Sequence, residues 1–236
     1  MENAGYTTLT RQSGLAREMQ IVANNIANTA TTGFRAEGLI FSEFVQPLER
    51  GASLSMGQGN VKNTSFAQGA LTKTGGTFDL AIEGDGYFLV ETPGGERLTR
   101  AGAFSPSAEG DLVTPDGYRV LDAGGAPIFV PSGVIIAVSG DGTLSADGTP
   151  LGQIGIVRPS DAAQMTREDG VMFDSPSGFE PAETARVLQG FVENSNVNAV
   201  SQLARMIEVQ RAYELGQSFL ETEDERVRAA LKSLSS

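Results

Sequence analysis

The sequence has no cysteine, no histidine and no tryptophan. Without cysteine, disulfides and thiolate metal sites are excluded. Without histidine, Ser-His-Asp and Cys-His catalysis and the usual zinc and iron ligand sets fall away. No serine stands at S-x-x-K spacing before any of the three lysines, and no G-x-S-x-G elbow occurs. Positive charge is also short: 17 basic residues against 29 acidic ones leave a net charge of −12. That balance excludes nucleic acid as a partner, because phosphate binding needs clustered Lys and Arg, and it disfavours an anionic membrane surface. Long hydrophobic runs are missing too. The longest, Val134–Val138, is far too short to span a bilayer, so no membrane insertion is expected. The start, "MENAGYTTLTRQSG", has no basic region followed by an apolar one, so any export is expected to proceed without a cleaved signal peptide.

Proline and glycine are present but confined. All 10 prolines lie between Pro47 and Pro181, and 25 of the 29 glycines lie in residues 37–196. Both residues punctuate turns and strands, so their scarcity at the ends permits long helices there. Near the start, Leu15, Met19, Val22 and Ile26 recur at helical spacing within an arc of about 60°. Near the end, Met206, Val209, Tyr213, Leu220, Val227, Leu231 and Leu234 follow a heptad-like spacing broken at Gly216 and Glu223, with Ser195 or Asn196 as N-cap. The run Glu221–Arg226 reads as a solvated face. Neither helix can bury its narrow stripe alone, so pairing with each other and with other chains is predicted.

The middle reads as β-structure. Two short apolar runs flank Gly84-Asp85-Gly86, and further runs cover Leu98–Phe104, Leu112–Leu121, Ile128–Val138 and Ile154–Val157, separated by turn signals such as Asp116-Gly117 and Asp141-Gly142. The predicted class is therefore α+β: terminal helices pair as a coiled-coil-like domain beside a central, mainly antiparallel sandwich or barrel. The predicted boundaries are an N-terminal helical segment over 1–36, an extended linker over 37–77, a β-domain over 78–190 and a C-terminal helical segment over 191–236, with 197–236 joining 1–36.

Few chemical motifs survive inspection. "GDGYF" at Gly84–Phe88 lacks the third glycine of a dinucleotide fingerprint, and "GQG" at Gly57–Gly59 follows no strand. Glu83 and Asp85 sit two apart, the spacing of a carboxylate pair on one strand face, but Asp85 between two glycines is a turn residue. Ser139–Pro150 lacks the glutamate that closes a calcium loop and reads as a hairpin with two Asp-Gly turns. No catalytic, cofactor or metal site is expected.

The stretch "ANNIANTATTGFR", Ala23–Arg35, places Asn24, Asn25 and Asn28 on an arc roughly opposite the apolar stripe. Asn28 fits a helix C-cap with Gly33 in the turn beyond. Asn24 and Asn25 come a full turn too early for that, and amides at a helix interface fix register. This stretch resembles the N-terminal signature of the bacterial flagellar axial proteins: the rod, hook and hook-associated components. "DLAIEGDGYFLV" and "LTRAGAFSPSAEGDLVTPDGYRVL" are similar to the central domain of rod and hook proteins, and "ENSNVNAVSQLARMIEVQRAYELGQ" to their C-terminal signature.

The resemblance implies a non-enzymatic subunit, exported through the flagellar export apparatus, that polymerises helically with copies of itself and other rod proteins in the periplasm. Length and the plain start favour the proximal rod over the distal rod or a hook-type component. Subunit contacts are then expected at Leu15, Met19, Val22, Asn24, Asn25, Ile26, Asn28, Gly33 and Phe34 in the first signature. In the last they are expected at Asn194, Asn196, Val197, Asn198, Met206, Ile207, Gln210, Arg211 and Tyr213. A carboxylate glycosidase acting on peptidoglycan and a β-rich binding module stay open as rival readings.

Overall fold

Helix α1 spans Glu2–Ala27 and helix α2 spans Ala199–Leu234 in the computed structural model, which describes residues 2–46 and 54–234. Neither holds a proline, and each ends where the local chemistry stops it. At the end of α1 the backbone N–H and the side-chain amide of Asn28 both donate to the Asn24 carbonyl, at 3.1 and 2.9 Å. This is the capping role expected of Asn28. The start of α2 differs from the sequence reading. The N-cap is Asn198, whose Oδ1 accepts from the Ser201 N–H at 3.0 Å. Asn196 is committed elsewhere, its side-chain amide donating to the Ala67 carbonyl at 2.8 Å and its N–H to the Phe34 carbonyl at 3.2 Å.

The chain divides into two compact units, each assembled from separated stretches. The first gathers α1, residues 36–66 and α2. Residues 37–64, read from sequence as linker, form a long antiparallel hairpin: β1, Glu37–Gln46, pairs with β2, Leu54–Thr64, from Glu37↔Thr64 to Gln46↔Leu54. A bulge lies between Ile40 and Phe41. Helix α1 packs against α2 and against both strands of this hairpin. It therefore needs two buried sides, and that is why its buried arc is wider than the stripe seen in the sequence.

The second unit holds residues 30–35 and 67–196. Its short strands begin with β3 (Leu71–Lys73), β4 (Leu80–Glu83), β5 (Tyr87–Thr92) and β6 (Gly95–Thr99). The central strand is β5. It pairs with β6 along one edge, and with Ile156–Pro159 and Arg119–Val120 along the other. Phe88 and Val90 enter one apolar cluster with Leu80, Phe104, Leu112 and Leu144, while Tyr87 and Leu89 enter a second with Leu98, Leu121 and Phe173. Because both faces are covered, this strand reads as the continuous run Tyr-Phe-Leu-Val and not as an alternation.

The expected sandwich or barrel is found as one branched antiparallel sheet around β5 with smaller sheets beside it. Gly84-Asp85-Gly86 does not close a hairpin. It turns the chain between sheets, since β4 pairs with Arg186–Gln189. Ser139–Pro150 does form two successive tight turns, with Asp147 and Gly148 both at positive φ (48° and 82°), the type I′ geometry that an Asp-Gly pair favours.

Gly33 shows how tightly the second unit closes. Its φ is +70°, and a Cβ placed there would lie 2.2 Å from the Ala101 backbone nitrogen. Replacing it with alanine should lower the stability of this unit by more than about 2 kcal/mol. The same change at Gly117, with φ +86° and nothing within 4 Å, should cost only the left-handed strain of about 1–2 kcal/mol. Chemical denaturation followed by β-sheet circular dichroism measures both.

Candidate functional site

Inside the first unit, polar groups lie among the apolar ones. Leu15, Ile21 and Val22 are buried, as are Gln12, Glu18 and Asn25. Asn25 is only 1% exposed. Its side-chain amide donates to the Glu37 carbonyl at 2.7 Å and to Gln202 Oε1 at 3.2 Å, and its Oδ1 accepts from the Glu37 N–H at 2.9 Å. One asparagine thus fixes the first residue of β1 at both backbone groups and touches α2 as well. The sequence reading placed Asn25 on an outward arc with Asn24 and Asn28. The structure corrects this: Asn24 is exposed, Asn25 faces inward, and the third side of the helix is taken by the chain's own hairpin.

Further along, Arg205 donates from Nε and Nη2 to Glu18 Oε1, both at 2.6 Å. The hydrogen bond to Glu18 holds the Arg205 guanidinium pKa above its ordinary value. Gln12 Nε2 donates to the Tyr213 carbonyl at 3.0 Å, and a Cβ at Gly216 would lie 2.5 Å from that nitrogen. Gly216, read from sequence as an interruption of the α2 stripe, is where Gln12 of α1 needs room.

The second unit contains a buried ion cluster. Arg35 and Glu193 side chains are both 0% exposed and meet at 2.6 Å; Arg100 meets the other Glu193 oxygen at 3.1 Å. Glu193 Oε1 also accepts from the Gly69 N–H at 2.8 Å. Arg35 donates to the Ala67 carbonyl, and Arg100 to the Ile82 and Gly84 carbonyls, at 2.6, 3.2 and 2.6 Å. The Arg100 guanidinium lies 5.1 Å above the Tyr87 ring. Burial pulls Arg100 below its ordinary pKa against the pull of Glu193, and burial pushes the Tyr87 phenol up. Nearby, the buried Phe34 ring stacks under Arg167 at 4.5 Å. All three cluster residues sit inside the quoted signatures, yet the sequence reading gave them no role. Their signal is a charged residue within each apolar motif.

The expected contact residues therefore divide. Leu15, Val22 and Asn25 are buried in the first unit, with Met19, Ile26, Met206 and Tyr213 half-buried there. Gly33, Phe34, Asn194 and Asn196 bond within the second unit, where Asn194 donates to Thr72 Oγ1 at 2.8 Å and its N–H to the Ala70 carbonyl. Asn28 and Asn198 are caps, and Val197 is half-buried. Asn24, Ile207, Gln210 and Arg211 are exposed. The sequence reading missed Val200, Leu203, Leu215 and Phe219, which are exposed on α2 at 77%, 53%, 74% and 42%. Val200, Leu203 and Ile207 stand at i, i+3 and i+7, a second stripe legible in the sequence. Glu83 and Asp85 are exposed side chains on either side of Gly84, whose carbonyl Arg100 grips. Among the described residues, no helix is long and apolar enough to cross a membrane.

Comparison with known proteins defines the class. A "Flagella basal body rod protein" family model matches residues 6–35, a "Flagellar hook protein FlgE/F/G D1 domain" model matches 81–146, and a "Flagellar basal body rod FlgEFG protein C-terminal" model matches 188–233. These are structural proteins and not enzymes. Flagellar basal-body rod protein FlgF of Caulobacter vibrioides is 41% identical over 99% of this chain and 98% of its own length. FlgF of Mesorhizobium japonicum is 35% identical over 100% and 99%. FlgG of Agrobacterium fabrum is 32% identical over 92% and 93%. The chain belongs to the flagellar basal-body rod protein family and is FlgF-like within it.

The inward and outward asparagines should separate experimentally. Asn25→Ala leaves the Glu37 backbone groups without their buried partner and should cost about 1–3 kcal/mol in urea unfolding. Asn24→Ala should stay within about 0.5 kcal/mol of the parent. Glu193→Ala strands two buried guanidinium groups and should cost about 3–5 kcal/mol.

Proposed function

We propose that the chain is a structural subunit of the flagellar basal-body rod, in its proximal part. It polymerises helically there through its terminal helices, against copies of itself and other rod proteins, and it reaches the rod through the flagellar export apparatus. One observation carries the polymerisation reading. Of the large apolar side chains along α2, only Val209 is buried, while Val200, Leu203, Ile207, Leu215, Phe219, Val227 and Leu231 are exposed. So much apolar surface along one helix marks a contact site. Pairing of α1 with α2 uses one side of α2 and leaves the other for neighbours, the arrangement that coiled-coil-like assemblies use. The FlgF identities, above those to FlgG, favour the proximal position.

The test separates folding from assembly. Leu203→Asp with Ile207→Asp changes exposed positions only, so the purified chain should unfold within about 0.5 kcal/mol of the parent per site. Cells carrying it should stop swimming and accumulate basal bodies without a complete rod. Normal swimming would sink the proposal. Glu83→Gln with Asp85→Asn should leave swimming intact, because neither carboxylate has a part in assembly.

A further inference from the structure

The two sides of α2 are complementary in shape, length and charge. On one side, Thr8, Arg11 and Leu15 of α1 face Ala212, Gly216 and Phe219 of α2 across an open groove of about 330 Å³. The small residues Ala212 and Gly216 form its floor, and exposed Leu215 forms its rim. On the other side, Val200, Leu203 and Ile207 make a ridge within an arc of about 60°. Residues 8–15, 212–219 and 200–207 each span seven helical steps, about 10 Å. Glu214 continues the ridge arc two turns beyond Ile207 and is exposed, and Arg11 is exposed on the groove wall. Apolar anchors at i, i+3 and i+7 entering a groove between two helices form a recognised mode of helix docking.

We infer that the occupant of this groove is a second copy of the chain, whose Val200–Leu203–Ile207 ridge seats between α1 and α2 of its neighbour and whose Glu214 faces the neighbour's Arg11. The inference rests on the polymerisation proposed above and names its contact. Ridge and groove point to opposite sides of one helix, so a chain cannot satisfy itself. The contact is also heterologous: each copy offers a ridge to one neighbour and a groove to another. Such a contact generates open helical arrays unless the rotation happens to close a ring.

The absence of cysteine makes a direct test clean. Ile207→Cys and Leu215→Cys are introduced together in the full chain. Within one copy the two positions lie eight helical steps apart, about 12 Å, beyond disulfide reach. Mild oxidation of isolated basal bodies should give covalent dimers and larger multiples of the double variant, and neither from the single variants. Dimers from Ile207→Cys alone would mean that ridges meet each other in a closed pair, and would overturn the inference. Basal bodies that contain the double variant but give no bond between copies would overturn it while leaving the rod reading standing. Failure to find the parent chain in basal bodies would instead overturn the rod reading itself. Independently of cysteine, Arg11→Glu should lower the number of complete rods roughly two- to five-fold, as loss of an exposed ion pair does. Adding Glu214→Arg should restore it, and no restoration counts against the contact.

Discussion

A carboxylate with no access to water governs the second unit. Glu193 is buried without exposure, and an unpaired charge there would cost several kcal/mol. Two guanidinium groups and the Gly69 N–H make the position tenable. The partners come from residues 35, 69 and 100, so closing the cluster brings these stretches to residue 193. The Gly33 N–H then reaches the Glu193 carbonyl at 2.8 Å, and β3 pairs with Phe191–Glu193. The β-body cannot be completed from its middle alone, because residues near both ends of the chain supply its buried charges.

The first unit meets a different constraint. A helix that packs on another helix needs one apolar stripe, whereas α1 also packs on a hairpin. Backbone groups at a strand start need partners when buried, and an apolar side chain offers none. Asn25 supplies both a donor and an acceptor to Glu37. Glu18 and Gln12 do similar work toward α2, through Arg205 and the Tyr213 carbonyl. These bonds are directional, so they set the register of α1 along α2 more sharply than the apolar contacts do.

What remains uncovered explains how a fold becomes a building block. Val209 is buried, but the residues of α2 that face away from α1 keep a row of large aliphatic groups in water. A monomer gains nothing from that row. A polymer recovers it at every repeat, and a rod has no need of a catalytic group. The acidic middle of the sequence is consistent with a solvated body, and its charge does not intrude on helices that are nearly neutral (+3 and −2 over residues 1–36, +5 and −6 over 197–236).

The fold class, the two helices and most strands were legible in the sequence because each rests on local pattern: proline-free ends, a 3.6-residue period, and Asp-Gly turns. The capping role of Asn28 was legible for the same reason. The four signatures also carried the family. The hairpin at 37–64 was not legible, since its polar, glycine-rich strands lack a clear alternation. The partners of Asn25, the purpose of Gly216 and the Arg35–Glu193–Arg100 cluster were decided only by tertiary structure. Each depends on a neighbour far away in the chain, and burial turns a residue that looks solvated in the sequence into one that must find a partner. The sequence by itself determined which segments would be helix, strand or turn and which family they serve. Which amide faces inward, which charge is buried and which apolar stripe stays free for another chain were set by packing, because only packing removes water from one side of a residue and not the other.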